Sequence, residues 1–158
     1  MNRSTQLNDP AWWDARYHNA STPWDRGIVA PEVVAFASEH PGADQWALNI
    51  GCGPGTHSRD LARTGYRIVG IDLSQIALQR ALTAARVEGL PWVGVQASAA
   101  NLDLLNAPFA AALDIGCFHG MAASDQAHYA AALNRRLAPD GHYLLYAVHP
   151  RMGNESGP

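Results

Sequence analysis

The feature that most constrains this chain is a cluster of three glycines between two apolar runs. Residues 51–55 (GCGPG) directly follow the short apolar run Trp46–Ile50, whose length is typical of a buried parallel strand. Glycine lets the backbone turn sharply and lets a ligand approach without meeting a Cβ atom. The pattern then predicts a helix capped by Thr56 and running to about Thr64, with Gly65 ending it. A strand, a glycine loop and a helix are therefore expected in direct succession.

An acid follows at the spacing that a nucleoside site requires. Residues 66–71 form a second apolar run, and Asp72 stands at its end. Gly51 and Asp72 are separated by roughly the 20 residues expected when an acid at the tip of the second strand binds ribose hydroxyls. Ligands of open α/β sheets bind at the carboxyl ends of the strands. We interpret this stretch as the binding site of a nucleoside cofactor.

The order of the glycines separates two classes of cofactor. The pattern is GxGxG, and Thr56 occupies the sixth position, where a dinucleotide fingerprint needs glycine. This loop, Asp72 and the helix at 74–84 (SQIALQRALTA) resemble motif I and the acidic strand of class I S-adenosylmethionine-dependent methyltransferases. The resemblance implies S-adenosylmethionine as the cofactor and an α/β, Rossmann-like parallel sheet of strand order 3-2-1-4-5 with helices on both faces. A nicotinamide-dependent oxidoreductase is a rival that Thr56 disfavours.

Two helices are predicted before this core, one opened by Pro10 after the cap Asp9 and one from Pro31 to about Glu39. The sequence WWDARY, then TPWDRG, then a helix begun by proline resembles the N-terminal segment of small-molecule methyltransferases of the thiopurine and tellurite-resistance type. The resemblance implies a lid over the cofactor that helps to shape the acceptor pocket. Buried aromatic side chains can equally anchor a helix on the core. The candidate lid and substrate residues are Trp13, Tyr17, Trp24 and Phe118.

The remainder of the chain predicts three more strands. We expect them at 92–96, 107–115 and 141–148, with helices at 75–87 and 124–137 capped by Ser74 and Ser124, and with a turn at 139–141. One domain, 1–158, is expected, with N-terminal lid helices at 1–40 and the Rossmann-like core at 45–150. Class I methyltransferases usually have two further strands, 6 and 7, which we do not expect in this sequence. We therefore expect a naturally truncated form, a fragment, or a protein that covers the edge of strand five by forming a homo-oligomer.

The resemblance assigns cofactor contacts residue by residue. The glycine loop would hold the methionyl carboxylate, the acid the ribose, and the residues after strands two and three the adenine. Class I methyltransferases often have an acid where this chain has a serine. Either the serine hydroxyl replaces that carboxylate, or the next backbone amide recognises adenine alone. The predicted cofactor-binding residues are Gly51, Cys52, Gly53, Gly55, Asp72, Leu73, Ser98, Ala99 and Cys117.

The segment after strand four is expected to face the acceptor. His119 is the candidate general base, although a structural histidine is the commoner role. Cys117, Phe118 and His119 do not supply the four ligands of a structural zinc site, and no metal is predicted. Cys52 lacks a matched base for a nucleophilic role. Asp114, in a mainly apolar strand, needs a partner if buried, and we expect His57 at the surface.

Composition bounds the partners. The net charge is -3 with no basic block, which disfavours nucleic acid, and no apolar run is long enough to span a membrane. The polar N-terminus and the two cysteines suggest a cytoplasmic protein. The resulting hypothesis is methyl transfer from S-adenosylmethionine to a small-molecule acceptor, whose acceptor atom stays open between oxygen, nitrogen, sulfur and a metalloid. A non-catalytic S-adenosylmethionine-binding module is the alternative.

Overall fold

A five-stranded parallel sheet forms the centre of the protein. The computed structural model describes residues 7–106 and 108–148. The strand order is β3-β2-β1-β4-β5, and every neighbouring pair is parallel, as predicted. The predicted start of the fourth strand, Ala107, lies outside the described residues. The strands are β1 (Trp46–Ile50), β2 (Arg67–Asp72), β3 (Trp92–Gln96), β4 (Phe109–Ile115) and β5 (Leu137–Tyr146).

Helices cover both faces of the sheet. Successive strand residues point to opposite faces, so alternate residues of β1 and β4 join two separate apolar clusters. The helices are α1 (Pro10–His18), α2 (Pro31–Glu39), α3 (Thr56–Arg63), α4 (Gln75–Val87) and α5 (Ala123–Arg136), with 3₁₀ turns at Ala99–Leu104 and Phe118–Gly120. The first cluster includes residues of α2, α3 and α4, and the second includes residues of α5 and the first 3₁₀ turn.

Two of the four predicted helix caps are confirmed and two are wrong. Asp9 accepts a hydrogen bond from the amide of Ala11, and Ser74 caps α4 through its hydroxyl. Thr56 is instead the first residue of α3, because Gly55, with a φ of 75°, occupies the cap position and leads the chain into the helix. Ser124 already lies inside α5, which begins one residue earlier and has no side-chain cap.

The predicted turn at 139–141 lies inside β5 rather than before it. Phe109 pairs with Leu137, and the next pair is Ala111 with His142, so β5 bulges out between these two contacts. A Cβ atom on Gly141 would lie 2.9 Å from the carbonyl oxygen of Phe109, so glycine is required at this close approach. The strand therefore begins at Leu137 and not at the predicted residue 141.

β5 is an edge of the described sheet. Leu145 and Tyr146 are 40% and 52% exposed, and no further strand of the described residues pairs with β5. Within residues 7–106 and 108–148, no helix has the length and apolar character that a membrane span needs.

Candidate functional site

The carboxylate of Asp72 joins the glycine loop to the start of α4. Its Oδ2 atom accepts a hydrogen bond from the amide of Gly53 at 2.8 Å, and its Oδ1 atom accepts one from the amide of Ser74 at 2.8 Å. An ionised carboxylate has about four acceptor positions, so capacity remains for further donors. The glycine loop and the acid are thus in direct contact, and the carboxylate can still receive hydroxyl groups such as those of a ribose.

Burial makes this carboxylate energetically demanding. Desolvation raises the pKa of Asp72, and the hydrogen bonds from the amides of Ser74 and Gly53 act in the opposite direction. A nearby negative charge on Asp14 adds to the upward shift. A ligand that brings hydroxyl donors would therefore stabilise the charged form of Asp72.

The glycine loop is pressed closely against other parts of the molecule. Gly51, Gly53 and Gly55 all have positive φ values, of 60°, 52° and 75°. A Cβ atom on Gly51 would lie 2.6 Å from the Cβ atom of Cys117, and one on Gly53 would lie 2.9 Å from the hydroxyl of Tyr17. The loop thus meets the segment after β4 on one side and α1 on another, which brings three sets of predicted site residues together.

A contact that the sequence analysis missed holds α1 beside this site. The Oδ1 atom of Asp14 accepts hydrogen bonds from the hydroxyl of Ser74 at 2.6 Å and from the amide of Ile76 at 3.0 Å. Arg80 of α4 also donates to the carbonyl oxygen of Tyr17 at 2.8 Å. No local pattern marks Asp14, because Ser74 lies 60 residues away in the chain. These bonds dock α1 on the first turns of α4, next to Asp72.

The three predicted lid residues form one aromatic cluster. The ring of Trp24 lies edge-on to those of Trp13 and Tyr17, at centroid distances of 5.7 and 6.5 Å. Tyr17 is buried, whereas Trp24 is 48% exposed. The cluster reaches the glycine loop through the Tyr17 hydroxyl at Gly53. The packing anchors α1 beside the loop, and the lid role of the cluster stays a prediction.

The predicted adenine-side residues lie at the same edge of the sheet as Asp72. Asp72 pairs with Gln96 at the carboxyl ends of β2 and β3, and Gln96 donates to the carbonyl oxygen of Leu73 at 3.0 Å. Ser98 accepts a hydrogen bond from the amide of Ala100 and so begins the 3₁₀ turn that contains the buried Ala99. The hydroxyl proton of Ser98 stays available to a ligand.

The segment after β4 is anchored by Asp114, which has the partners that its burial requires. Its carboxylate accepts hydrogen bonds from the amides of Cys117 and Phe118 and from the hydroxyl of Tyr129. His119 is exposed, and its side chain makes no hydrogen bond with the residues that the structure describes. The geometry therefore provides no orienting partner for His119 as a base.

Neither cysteine has the environment of a nucleophile. Desolvation raises the pKa of both Cys52 and Cys117 well above the ordinary value of a thiol. Among the described residues, no group of three or more histidine, cysteine or acidic side chains could hold a metal ion. His57, expected at the surface, is half-buried: its Nδ1 atom accepts a hydrogen bond from the amide of Ala30 at 3.4 Å, and desolvation lowers its pKa.

A second residue that the sequence analysis missed is Asn49 in β1. It is 2% exposed, and its Oδ1 atom has no hydrogen-bond partner among the described residues. Its amide nitrogen lies at the limit of a hydrogen bond, 3.5 Å from the carbonyl oxygen of Leu113. An amide side chain in an apolar strand was the only signal. This orphaned acceptor, two residues before the glycine loop, could take a donor from a bound ligand.

Together these features fit S-adenosylmethionine. Asp72 retains acceptor capacity for a ribose diol, and the orphaned oxygen of Asn49 could accept a bond from an ammonium group. The first turn of α3 has amide groups without intrahelical partners, and such a helix start attracts a carboxylate.

Comparison with known proteins points the same way. A family profile described as a methyltransferase domain matches residues 47–141. An uncharacterized methyltransferase of Schizosaccharomyces pombe is 34% identical over 100 residues, which are 63% of this chain and 69% of that protein.

Two solved structures share the fold. One comes from work on the conversion of a disulfide bond into a thioacetal group during echinomycin biosynthesis; it is 32% identical, with a TM-score of 0.74 over 82% of this chain and 57% of that one. The other is 1,6-didemethyltoxoflavin-N1-methyltransferase of Burkholderia thailandensis with bound 1,6-didemethyltoxoflavin and S-adenosylhomocysteine. It is 25% identical, with a TM-score of 0.72 over 85% of this chain and 58% of that one. The chain thus spans a little more than half the length of these structures.

Proposed function

Because the chain belongs to the methyltransferase domain family, we propose that it transfers a methyl group from S-adenosylmethionine to a small-molecule acceptor. The observation that carries the proposal is the Asp72 carboxylate, which is bonded to the amide of Gly53 and keeps acceptor capacity for a ribose. We further propose one domain, with lid helices at 1–40 and the core at 45–150. The net charge of -3, with no basic block, supports a protein without a nucleic-acid partner, and the apolar runs are too short to support a membrane partner. The two free cysteines support a cytoplasmic location.

The chain's own residues would hold the cofactor in three places. The glycine loop and the start of α3 would bind the methionyl carboxylate, and Asp72 would accept the ribose hydroxyls. Leu73, Ser98 and Ala99 would surround the adenine. When bound, the cofactor supplies an activated methyl group on a cationic sulfur. The protein then needs to place the acceptor in line with that methyl group and to exclude water.

The acceptor is proposed to lie between the N-terminal segment and the turn after β4. Trp24, on the N-terminal segment, and Phe118, after β4, are the proposed acceptor contacts. His119 in that turn could take a proton from a hydroxyl or amine acceptor, whereas an acceptor that is already anionic needs no base. This arrangement suits a small molecule whose deprotonation costs little near neutral pH.

A binding module without catalysis is the second candidate. The observation that favours it is the exposed edge of β5, where Leu145 and Tyr146 have no covering element among the described residues. An acceptor pocket on that side would then lack a wall. Cofactor binding would persist in such a module, and turnover would not.

Calorimetric titration tests the cofactor. We expect micromolar binding of S-adenosylmethionine and of S-adenosylhomocysteine, and no binding of NAD, because the glycine pattern lacks the third fingerprint glycine. The variant Asp72→Ala should lose most of this affinity, and Glu32→Ala, an exposed acid on α2, should keep it. Binding of NAD in place of the sulfonium cofactor, or of neither, would contradict the proposal.

Product formation separates the enzyme from the binding module. The assay would follow S-adenosylhomocysteine released from S-adenosylmethionine in the presence of hydrosulfide, a thiol, an amine and a phenol, each in turn. Release that depends on the acceptor supports the enzyme. Cofactor binding with no release in any of these reactions supports the module.

A further inference from the structure

A series of hydrogen-bonded hydroxyl groups, from the half-buried Tyr143 to the buried Tyr129, runs from β5 to the turn after β4. The hydroxyls of Tyr143 and Tyr129 are 2.8 Å apart, and the hydroxyl of Tyr129 donates to the Oδ2 atom of Asp114 at 2.9 Å. Each tyrosine has one hydroxyl proton, so Tyr143 donates to Tyr129 once Tyr129 has donated to Asp114. Hydrogen bonds are therefore donated from Tyr143 to Tyr129 and from Tyr129 to Asp114.

The carboxylate at the end of this chain holds the backbone of the turn. Asp114 is 0% exposed, and its Oδ1 atom accepts from the amide of Cys117 at 2.8 Å. The amide of Phe118 lies 3.1 Å from its Oδ2 atom, the same atom that receives the Tyr129 proton. The position of the turn thus depends on a carboxylate that is itself oriented by Tyr129.

α5 fixes the turn from a second direction. Gln126 donates from its side chain to the carbonyl oxygen of Phe118 at 3.1 Å, and the ring of Phe118 lies against that of Tyr129 with centroids 5.4 Å apart. On its other side the turn meets the glycine loop, where Cys117 leaves no room for a Cβ atom on Gly51. The turn therefore lies between α5 and the proposed cofactor loop.

We propose that Tyr129 and Tyr143 are positioning residues, which set the turn at 116–120 against the glycine loop through Asp114 and so control the geometry of the acceptor. This role rests on the proposed function. Neither tyrosine needs to touch the cofactor. The hydrogen bonds from Tyr143 through Tyr129 to Asp114 link β5, the exposed edge of the sheet, to the place where the acceptor would lie.

Amide hydrogen exchange measured by NMR on the full chain tests the positioning role without any activity. Tyr143→Phe removes one hydroxyl and keeps the ring. We expect exchange at the Cys117 and Phe118 amides to quicken about fivefold, the effect of losing roughly one net hydrogen bond. The amide of Ile68, which donates to the carbonyl oxygen of Pro91 in the core, should not change.

Two further variants complete the exchange experiment. Tyr129→Phe should give a larger effect than Tyr143→Phe, because it removes the direct donor to Asp114. Tyr146→Phe on the same strand, with an exposed ring, is the matched control and should leave the turn unaltered. Unchanged exchange at Cys117 and Phe118 in Tyr143→Phe, or an equal rise at Ile68, would overturn the proposal.

Kinetics with hydrosulfide as the acceptor probe then separate positioning from binding. In Tyr143→Phe we expect kcat to fall about fivefold, while the Kd of S-adenosylhomocysteine stays within about twofold of the parent value. An equal loss in both would overturn the acceptor-side assignment. If the parent protein releases no product with hydrosulfide, methylation of this probe has failed, and the exchange result alone decides the positioning role.

Discussion

At the scale of single residues, Asp72 is the residue on which the proposed cofactor site most depends. Its carboxylate links two backbone segments, and desolvation raises its pKa. An acid with a raised native pKa keeps its proton to a higher pH when folded than when unfolded. The free energy of unfolding therefore declines as pH rises from the ordinary aspartate pKa through the raised one. Desolvation destabilises the charged form of Asp72, and hydrogen bonds from the hydroxyl groups of a ligand would stabilise it.

We expect Asp72→Asn to weaken the binding of S-adenosylhomocysteine by about 1–3 kcal/mol, through the loss of charge-assisted hydrogen bonds. In the parent protein, affinity should fall as acid protonates Asp72, and the fall should begin at a higher pH than for an ordinary aspartate. Calorimetry across a pH series would show this slope. The slope should be absent from Asp72→Asn, and an identical slope in both proteins would remove Asp72 from the ribose site.

Gly51 can be tested against a matched glycine. In Gly51→Ala, the added methyl group would collide with Cys117, and the alanine would also have to adopt a left-handed backbone conformation. Gly89 has a similar positive φ, but no atom lies within 4 Å of an added Cβ. We expect Gly51→Ala to lower the free energy of unfolding by about 1–3 kcal/mol more than Gly89→Ala. Chemical denaturation would measure both. An equal decrease in the free energy of unfolding for both variants would mean that Cys117 moves aside without destabilising the protein.

At the scale of elements, α1 is held to α4 by a small number of polar bonds. Asp14 caps the first turn of α4 from outside, and Arg80 binds the carbonyl oxygen of Tyr17. The aromatic cluster adds packing contacts between α1 and the segment that follows it, but Trp24 stays 48% exposed. An element with few anchors opens more readily than the sheet does. Lid opening is therefore expected to depend on Asp14 more than on any single ring.

We expect Asp14→Ala to raise the dissociation rate of S-adenosylhomocysteine about fivefold or more, because two hydrogen bonds of roughly 1 kcal/mol each are lost. Trp24→Ala should raise the rate less. Stopped-flow tryptophan fluorescence would follow the release for Asp14→Ala, and a radiolabelled-ligand chase would do so for Trp24→Ala. Dissociation at the parent rate in Asp14→Ala would leave α1 as a plain core helix.

At the scale of the whole molecule, the sheet ends in an apolar edge. β5 carries the exposed Leu145 and Tyr146, and Val148 beyond it is 64% exposed. Unpaired edge strands readily pair with other chains. The edge on the β3 side also has an exposed apolar residue, Val93. The β5 side has the longer strand, so it is the stronger candidate for pairing between copies.

We expect the 158-residue chain to self-associate with rising concentration, and Leu145→Lys to weaken this association by about tenfold or more, because a charge opposes edge pairing. Analytical ultracentrifugation would measure the effect. Val93→Lys on the opposite edge is the control and should have less influence. A chain that stays monomeric at all concentrations would show that the β5 edge does not pair.

The sequence alone determined the strands, the helices and the succession of strand, glycine loop, helix and Asp72. These follow from apolar runs, glycine positions and spacing, which are local signals that tertiary contacts did not override. The strand order was implied by the resemblance to class I methyltransferases, and the hydrogen bond between Gly53 and Asp72 is visible only in the structure. The sequence placed α1 and α2 correctly because proline begins each of them. The caps at Thr56 and Ser124 were misplaced, since the sequence does not show the backbone angle at Gly55 or the residue at which α5 begins.

Only the tertiary structure decided which distant side chains meet. Asp14 is hydrogen-bonded to Ser74, Tyr143 to Tyr129, and His57 to the amide of Ala30. A hydrogen bond depends on positions within a few tenths of an ångström, and residues far apart in the chain acquire such positions only after the sheet has set the distances between elements. Periodicity shows which face a residue occupies, whereas the partner on that face is a property of the packed molecule.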